Sequence, residues 1–367
     1  MAKRRYTYPP AGCSADKPGV PNMPSQKEIA RKLKLSQATV SRALNDDGSL
    51  PLATKLKVKQ LALELGYEPR RYVSRNRAGE EPEKCDRLLA LVHHAPTLDG
   101  KYYSLLLEMI QGFIQAAAAE RLTLIVKEVE NMEAARKIIA EYCNNVAGAV
   151  LILRYPEEMI DLFCSDLHCV SLNHRYENLK IQTVEPQQES AFIRLYRHLY
   201  GNGHRRIGFL TVKNSYQFAL SRYAGYQQAA YLLNNPYAPE WIMNIRPGEE
   251  LELPEIADRI ARLHRQEQVD AYLCTSGHFA RELIAELDRR GLRVPEDISL
   301  AAFDDILTPA ASGHLLCGMQ ANYERMAATA IRVLRNPAAF AGAAVICCDA
   351  EFHRGNTVAG PKPETGR

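Results

Sequence analysis

A stretch of ten residues near the N-terminus combines amide, hydroxyl and guanidinium side chains at helical spacing. From Ser36 to Asn45 the chain reads SQATVSRALN, with apolar positions between the polar ones. Glutamine can pair with adenine, arginine with guanine, and alanine can contact a thymine methyl group. We therefore expect Gln37, Ala38 and Arg42 to contact base edges. Short donors suit phosphate oxygens, and the stretch supplies them at Ser36, Thr39, Ser41 and Asn45.

Three short helices in residues 23–68 would position these side chains. Ser25 followed by Glu28 is a capping-box pattern that begins the first helix. Ser36 can cap the second helix, over 37–44, and Pro51 suits the first turn of the third. Two helices joined by a tight turn are typical of a helix-turn-helix, whose second helix lies in the major groove. The alternative is a small helical bundle with a solvated polar face.

The charge is divided unevenly along the chain. The net charge is +3, but residues 1–80 hold sixteen basic and seven acidic side chains, or +9, and the remainder carries −6. Such asymmetry predicts a polyanionic partner, either nucleic acid or an anionic membrane surface. Residues 1–22 read as a disordered basic tail. Residues 69–84 read as a hinge or solvated linker, in which basic side chains favour phosphates or the minor groove: Arg70, Arg71, Arg75 and Arg77.

From residue 85 onwards, strand-like apolar runs alternate with helical stretches. Alternation at this spacing indicates βαβ units and mostly parallel sheets. About 280 residues of such alternation suit two sheets better than one. The fold class is therefore α/β, with a small all-α head. The strand-like runs are Leu88–Val92, Leu122–Val126, Gly148–Leu153, Cys169–Leu172, Ile207–Thr211, Ala271–Cys274 and Ile298–Phe303.

Several classes of protein are disfavoured by what the sequence lacks. It has no apolar run long enough to span a membrane, and no apolar stretch follows its N-terminal charges, so we expect no secretory signal whether translation begins at Met1 or Met23. Nine scattered cysteines without a CxxC pair indicate a reducing cytoplasm rather than a disulfide framework or zinc site. No nucleophile elbow, phosphate loop, zinc-protease motif or dinucleotide fingerprint occurs. We therefore predict no enzyme, no metal and no cofactor.

Motifs spread over most of the chain resemble the lactose/galactose repressor family of bacterial transcription regulators. The resemblance implies a homodimeric DNA-binding regulator, a repressor, in which each subunit has a head, a hinge and a two-lobed effector domain like that of periplasmic sugar-binding proteins. A small molecule between the lobes would change the spacing of the two heads on a near-palindromic operator. The motifs are Ala38–Asn45, Leu65–Pro69, Gly203–Phe209, Arg222–Tyr226, Gly291–Leu300 and Phe303–Asp305.

The resemblance also suggests where the domains divide. The effector domain would cover 85–360, with one lobe made of 85–184 plus 318–344, the other of 185–317 plus 345–360, and a tail at 361–367. Two positions depart from the family. Lys34 stands where the turn usually has a glycine at positive φ. Asn76 stands where family hinges insert a leucine into the minor groove, and Tyr72 or Val73 are alternatives for that wedge.

An effector site is expected at the carboxyl ends of the strands, where open α/β sheets bind ligands. Topology nominates His93, His94, Asn173, Thr275, Ser276 and Asp304, and the resemblance adds Arg222, Tyr102 and Tyr103. Aromatic, amide, carboxylate and guanidinium groups suit a polyhydroxylated ligand such as a carbohydrate. Some of these residues also have an ordinary structural explanation: the histidines as strand-end residues bonded to backbone, Asp304 as the cap of a turn, and Arg222 as half of a surface ion pair.

The sequence thus predicts a cytoplasmic DNA-binding repressor that is modulated by a small molecule. The alternative is a cytosolic solute-binding or enzymatic α/β protein with an accessory nucleic-acid-binding head. Operator binding through the head separates the two.

Overall fold

The structure, a computed structural model, describes residues 26–44, 50–51, 54–55, 57–58, 61, 86–93, 103–176, 179, 181–211, 217–246 and 248–360. The chain forms two compact units, residues 1–77 and 78–367. Several predictions lie outside the described residues: the tails 1–22 and 361–367, the hinge with Arg70, Arg71, Arg75 and Asn76, and the site residues Asn45, His94 and Tyr102.

The first unit is a small helical head. Helix α1 spans Gln26–Leu33, α2 spans Gln37–Leu44, and the described residues between 54 and 61 are also helical. Its core contains five buried apolar side chains, at Ile29, Ala30, Val40, Ala43 and Val58. Apolar residues at helical spacing place them on the faces that meet. The bounds predicted for the second helix match those of α2.

The turn between α1 and α2 depends on two local features. Ser36 caps α2, because its Oγ accepts a hydrogen bond from the backbone N–H of Thr39 at 3.0 Å. Lys34 has a φ of +54°, the left-handed conformation that was expected at this position. A lysine there costs on the order of 1 kcal/mol relative to glycine.

The second unit contains two sheets flanked by helices, as predicted. Within the described residues each sheet has six strands, in the orders β11-β5-β4-β3-β1-β2 and β12-β10-β9-β8-β6-β7. Neighbouring strands run parallel except β10 and β12, which are antiparallel. The strands are β1 Arg87–His93, β2 Thr123–Val129, β3 Ala149–Ile152, β4 Cys169–Leu172, β5 Gln182–Pro186, β6 Ile207–Leu210, β7 Ile242–Met243, β8 Ala271–Cys274, β9 Ser299–Phe303, β10 Cys317–Ala321, β11 Val345–Cys348 and β12 Ala350–His353.

The interior strands β3, β4, β6, β8 and β9 are mostly apolar and buried along their whole length. This is the pattern of parallel strands covered by helices on both faces. None of the helices that the structure describes is long and apolar enough to cross a bilayer. The covering helices are α3 Tyr103–Ala119, α4 Met132–Tyr142, α5 Glu157–Asp166, α6 Gln188–Gly201, α7 Gln217–Leu232, α8 Leu253–Glu267, α9 Gly277–Asp288 and α10 Tyr323–Arg335.

The late part of the chain crosses between the lobes at different residues from those predicted. Residues 318–321 were assigned to the first lobe but belong to β10, which pairs with β9 in the second sheet. Residues 345–348 were assigned to the second lobe but form β11, which pairs with β5 and extends the first sheet. β10, with the sequence CGMQA, is of mixed polarity, and β11, VICC, is only 4 residues long, so the sequence indicated neither pairing. Helix α10 packs on α3 of the first lobe.

Candidate functional site

The exposed face of α2 carries the predicted base-reading side chains. Val40 and Ala43 point into the head's core, whereas Gln37 and Arg42 are exposed. Thr39 is half-buried, and its hydroxyl lies 2.7 Å from that of Ser36. Ala38 and Ser41 lie on the same helix, but their side chains are outside what the structure describes. The geometry therefore leaves an amide and a guanidinium free to enter a groove.

The strand ends of the body hold the predicted effector residues in two groups. In the first lobe, His93 is the last residue of β1, and Asn173 directly follows β4. In the second lobe, Thr275 and Ser276 follow β8, and Asp304 follows the neighbouring strand β9. The side chain of Tyr103 is not described.

Arg222 and Asp304 form a buried ion pair in the second lobe. Their residues are only 5% and 6% exposed, and Arg222 Nη2 lies 3.6 Å from Asp304 Oδ2. Burial lowers the pKa of Arg222 to about 10, against the opposing effect of Asp304. The guanidinium is therefore still charged at neutral pH. Because the pair is buried, the alternative of a surface ion pair for Arg222 is wrong.

The guanidinium of Arg222 is held by further protein groups. Its Nε donates to Gln188 Oε1 at 2.6 Å, and its Nη1 donates to the backbone carbonyl of Thr275. The group also lies against the rings of Phe303 and Phe218, at 4.1 Å and 4.6 Å from their centroids. Arg222 thus contacts three other segments: the start of α6 and the ends of β8 and β9.

Asp304 connects this pair to the crossover between the lobes. Its Oδ1 accepts from the backbone N–H of Ala321 at 2.9 Å, and its Oδ2 accepts from the hydroxyl of Tyr323 at 3.0 Å. Burial raises the pKa of Asp304, while Arg222 and these two donors lower it. Asp304 and Asp305 have φ values of +59° and +50°. Gly277 packs on this turn, since a Cβ there would meet the carbonyl oxygen of Asp304 at 2.3 Å.

The first-lobe group contains a buried acceptor that receives no hydrogen bond from the described residues. Asn173 has a φ of +64°, and its buried Oδ1 has no hydrogen-bond partner among the described residues. The ring of His93 lies 4.7 Å from that of Tyr155. Burial and the nearby Arg154 lower the pKa of His174 to about 4, so this neighbour of Asn173 is neutral at pH 7. A buried acceptor without a donor is the kind of group that a ligand satisfies.

Three residues of the second-lobe network were not predicted from the sequence: Gln188, Phe218 and Tyr323. Gln188 and Phe218 lie in the first turns of their helices, and Tyr323 follows a strand that the sequence did not indicate, so no local pattern marked them. The part of the chain that the structure describes contains no cluster of three or more His, Cys, Asp or Glu side chains that could hold a metal ion.

Two protein families match different parts of the chain. The model for bacterial regulatory proteins of the lacI family matches residues 25–70, and the model for the periplasmic binding protein-like domain matches residues 196–337. The first match contains α1 and α2. The second contains the Arg222–Asp304 pair and the nine strands and helices from β6 to α10.

Two repressors from bacteria are similar to this chain over most of its length. The transcriptional repressor CytR of Escherichia coli K12 is 27% identical over 317 residues, which are 82% of this chain and 86% of CytR. The repressor PurR of Aliivibrio fischeri MJ11 is 22% identical over 317 residues, or 85% of this chain and 91% of PurR. Both are named HTH-type transcriptional repressors.

Solved structures have the same fold. A complex of the transcriptional regulator CelR with cellobiose has a TM-score of 0.61 at 17% identity, and covers 91% of this chain and 99% of CelR. The lac repressor dimer bound to operator and the anti-inducer ONPF has a TM-score of 0.55 at 17% identity, and covers 92% of this chain and 100% of the repressor chain.

The head, the two-sheet body and these relatives agree on one kind of protein, a ligand-modulated regulator that binds DNA and is not an enzyme. The chain therefore combines a lacI-family regulatory domain at residues 25–70 with a periplasmic binding protein-like domain at residues 196–337, and its relatives over most of that length are transcriptional repressors.

Proposed function

We propose that the protein is a cytoplasmic, homodimeric repressor that binds a near-palindromic operator through its heads. A carbohydrate that binds between its lobes raises or lowers its affinity for the operator. The observation that carries the proposal is the exposed face of α2, with Gln37 and Arg42, on a head that the lacI-family model matches. The domains are then a head at 23–68, a hinge at 69–84 and an effector domain from 85 to 360.

In the DNA complex, Gln37, Ala38 and Arg42 contact base edges in the major groove. Ser36, Thr39, Ser41 and Asn45 contact phosphates, and Arg70, Arg71 and Arg75 of the hinge add phosphate or minor-groove contacts. The net charge of residues 1–80, +9, supports DNA contacts from the head and the hinge. The acidic remainder of the chain would be repelled by the phosphates.

A dimer is supported by apolar side chains left in solvent on the first lobe. Leu107 and Ile114, two turns apart on α3, are 66% and 55% exposed, and Val126 on the edge strand β2 is 45% exposed. Exposed apolar residues grouped in this way mark interaction surfaces. The lac repressor structure with the same fold is a dimer on its operator, and two heads would read two operator half-sites.

Deleting residues 1–84 is expected to abolish operator binding. An operator would first be selected from random duplex DNA with the full-length protein, and affinities would then be measured at fixed salt by fluorescence anisotropy. The truncated protein should retain the body, as judged by circular dichroism, yet bind selected and random duplexes equally weakly. Equal binding of the selected site by both proteins would refute the assignment of the head.

A carbohydrate is favoured as effector by the mixture of groups at the strand ends. His93, Asn173, Thr275, Ser276 and Asp304 supply ring faces, amides, hydroxyls and carboxylate, to which Arg222 and the tyrosines at 102 and 103 are added. Sugars offer apolar C–H faces and paired hydroxyls to such a set. CelR, whose fold is the same, was solved with cellobiose.

Asn173→Gly is expected to weaken effector binding about tenfold, the loss of one hydrogen bond to a buried group. Glycine accepts the positive φ of this position, so the fold should be unchanged. The matched control is Asn234→Gly, at an exposed position with a φ of +48°. A panel of mono- and disaccharides would be screened by thermal shift and titrated calorimetrically. If the hit sugar binds both variants equally, Asn173 is not in the site.

A further inference from the structure

Three carboxyl groups come together beside the crossover between the two lobes. Glu108 lies on α3 of the first lobe, and Asp304 and Asp305 follow β9 of the second lobe. The charges of both aspartates act on Glu108. We call these three residues the interlobe acid cluster.

Two hydrogen bonds join the lobes at this cluster. The hydroxyl of Ser104, in the first turn of α3, donates to Asp305 Oδ2 at 3.1 Å. Gln320 Nε2, on β10, donates to Glu108 Oε2 at 2.9 Å. The amide of Gln320 is oriented by the backbone N–H of Ile306, which donates to its Oε1 at 3.3 Å. The NH₂ group of Gln320 therefore faces Glu108. Rotation of the amide by 180° would break the hydrogen bond from Ile306 N.

The two arginines at the cluster are each paired with one of the aspartates. Asp304 is paired with Arg222, and Asp305 with Arg281, which also donates to the backbone carbonyl of Asp305. Glu108 makes no ion pair within the residues that the structure describes. The groups that face it are the two aspartates, Gln320, Arg281 and the phenol of Tyr323. When Glu108 is ionised, the interlobe acid cluster therefore carries one negative charge more than the two arginines balance.

Burial and the two aspartates raise the pKa of Glu108 to about 7, while the Gln320 hydrogen bond and Arg281 act in the opposite direction. At neutral pH the carboxyl is thus close to half-protonated. Protonation removes the repulsion from the aspartates and leaves Oε2 as an acceptor for Gln320.

We propose that Glu108 is a proton-operated latch between the lobes: its neutral form holds α3 against the strand ends of the second lobe, and its ionised form is repelled and lets the lobes rotate apart. The latch goes beyond the proposed function, since it adds a second input, proton concentration, to a lobe arrangement that an effector would also bias.

Proton linkage gives the direction and the size of the effect of pH on the equilibrium between joined and separated lobes. The joined arrangement has the raised pKa, so it binds a proton that the separated arrangement, with an ordinary glutamate, does not bind at neutral pH. Acid therefore favours the joined arrangement. For a pKa of about 7 in the joined state, the equilibrium constant for joining rises about tenfold between pH 8 and pH 6.

Single-molecule energy transfer within one protomer tests the latch without operator or effector, so its result is independent of the proposed function. Dyes would be attached through azidophenylalanine at exposed positions 161 and 262, one on each lobe, in full-length chains mixed with excess unlabelled protein. We expect two populations whose ratio shifts about tenfold between pH 8 and pH 6. In Glu108→Gln the neutral amide should keep one population dominant at both pH values.

The matched control is Glu130→Gln, an exposed carboxyl on the same lobe, which should behave like the wild type. Asp305→Asn provides a second variant, in which loss of one repelling charge should move the midpoint to lower pH. A ratio that does not change with pH in the wild type overturns the latch. So does an equal pH response in Glu108→Gln and the wild type, or an unshifted midpoint in Asp305→Asn.

Discussion

Asp304→Asn is expected to lower the free energy of unfolding of the body by about 3 kcal/mol, because it leaves the charged guanidinium of Arg222 buried without a counter-charge. The asparagine keeps its Oδ1 as the acceptor for Ala321 N, and its NH₂ group, which replaces Oδ2, can donate to the hydroxyl oxygen of Tyr323 in place of the bond that this hydroxyl now donates. It also tolerates the φ of +59°. The loss would therefore report on charge rather than on shape. Urea unfolding of the full-length protein, followed by circular dichroism, measures it.

Two comparisons make that measurement decisive. Adding Arg222→Met to Asp304→Asn removes the stranded charge, and should recover most of the lost stability although the protein then carries two substitutions. Asp349→Ala breaks an exposed pair with Arg325, whose side chains are 64% and 61% exposed, and should leave stability unchanged. A double variant no more stable than Asp304→Asn would mean that the ion pair is not the source of the loss.

The second helix of the head could be predicted because its signals are local: Ser36 caps it and Val40 faces the core, as expected. Ala43 also faces the core but was not predicted to do so, and the positive φ at Lys34 was expected from the resemblance to the family. Six of the body's interior strands, β1, β3, β4, β6, β8 and β9, were also predicted from local signals, since continuous apolar runs mark strands buried on both faces, whereas the interior strands β5 and β10 were not predicted. The late strands β10 and β11 were assigned to the wrong lobes for different reasons. β10 is a short strand of mixed polarity without an apolar run, although its partner β9 lies only 16 residues away. β11 pairs with β5, 162 residues earlier, and no local pattern encodes such a pairing.

The effector site could be predicted only in outline. Strand ends can be read from the sequence, so Asn173, Thr275 and Asp304 were nominated correctly as neighbours of the carboxyl edges. The partners of these residues could not be read in the same way. Gln188 is 34 residues from Arg222, with which it bonds, and Gln320 is 212 residues from Glu108. Such contacts depend on tertiary packing, and so does the raised pKa of Glu108.

Arg42→Ala is expected to weaken binding of the selected operator by about 1–3 kcal/mol and to relax specificity at one base position in each half-site. Arg42 is exposed on the face of α2 opposite the core, so its removal should not affect folding of the head. A bidentate contact to guanine would account for both effects. Affinities for the operator and for all single-base variants, measured at one salt concentration, would identify the position.

Lys32→Ala is the appropriate comparison, because Lys32 is an exposed cation on α1 rather than on the reading face. If it contacts DNA at all, it should weaken operator and random duplex alike and reduce the salt dependence. The contrast between a position-specific and a uniform loss distinguishes reading of bases from attraction to phosphates. Should Arg42→Ala also weaken every sequence equally, Arg42 would be a phosphate contact, and base reading by α2 would rest on Gln37 and Ala38 alone.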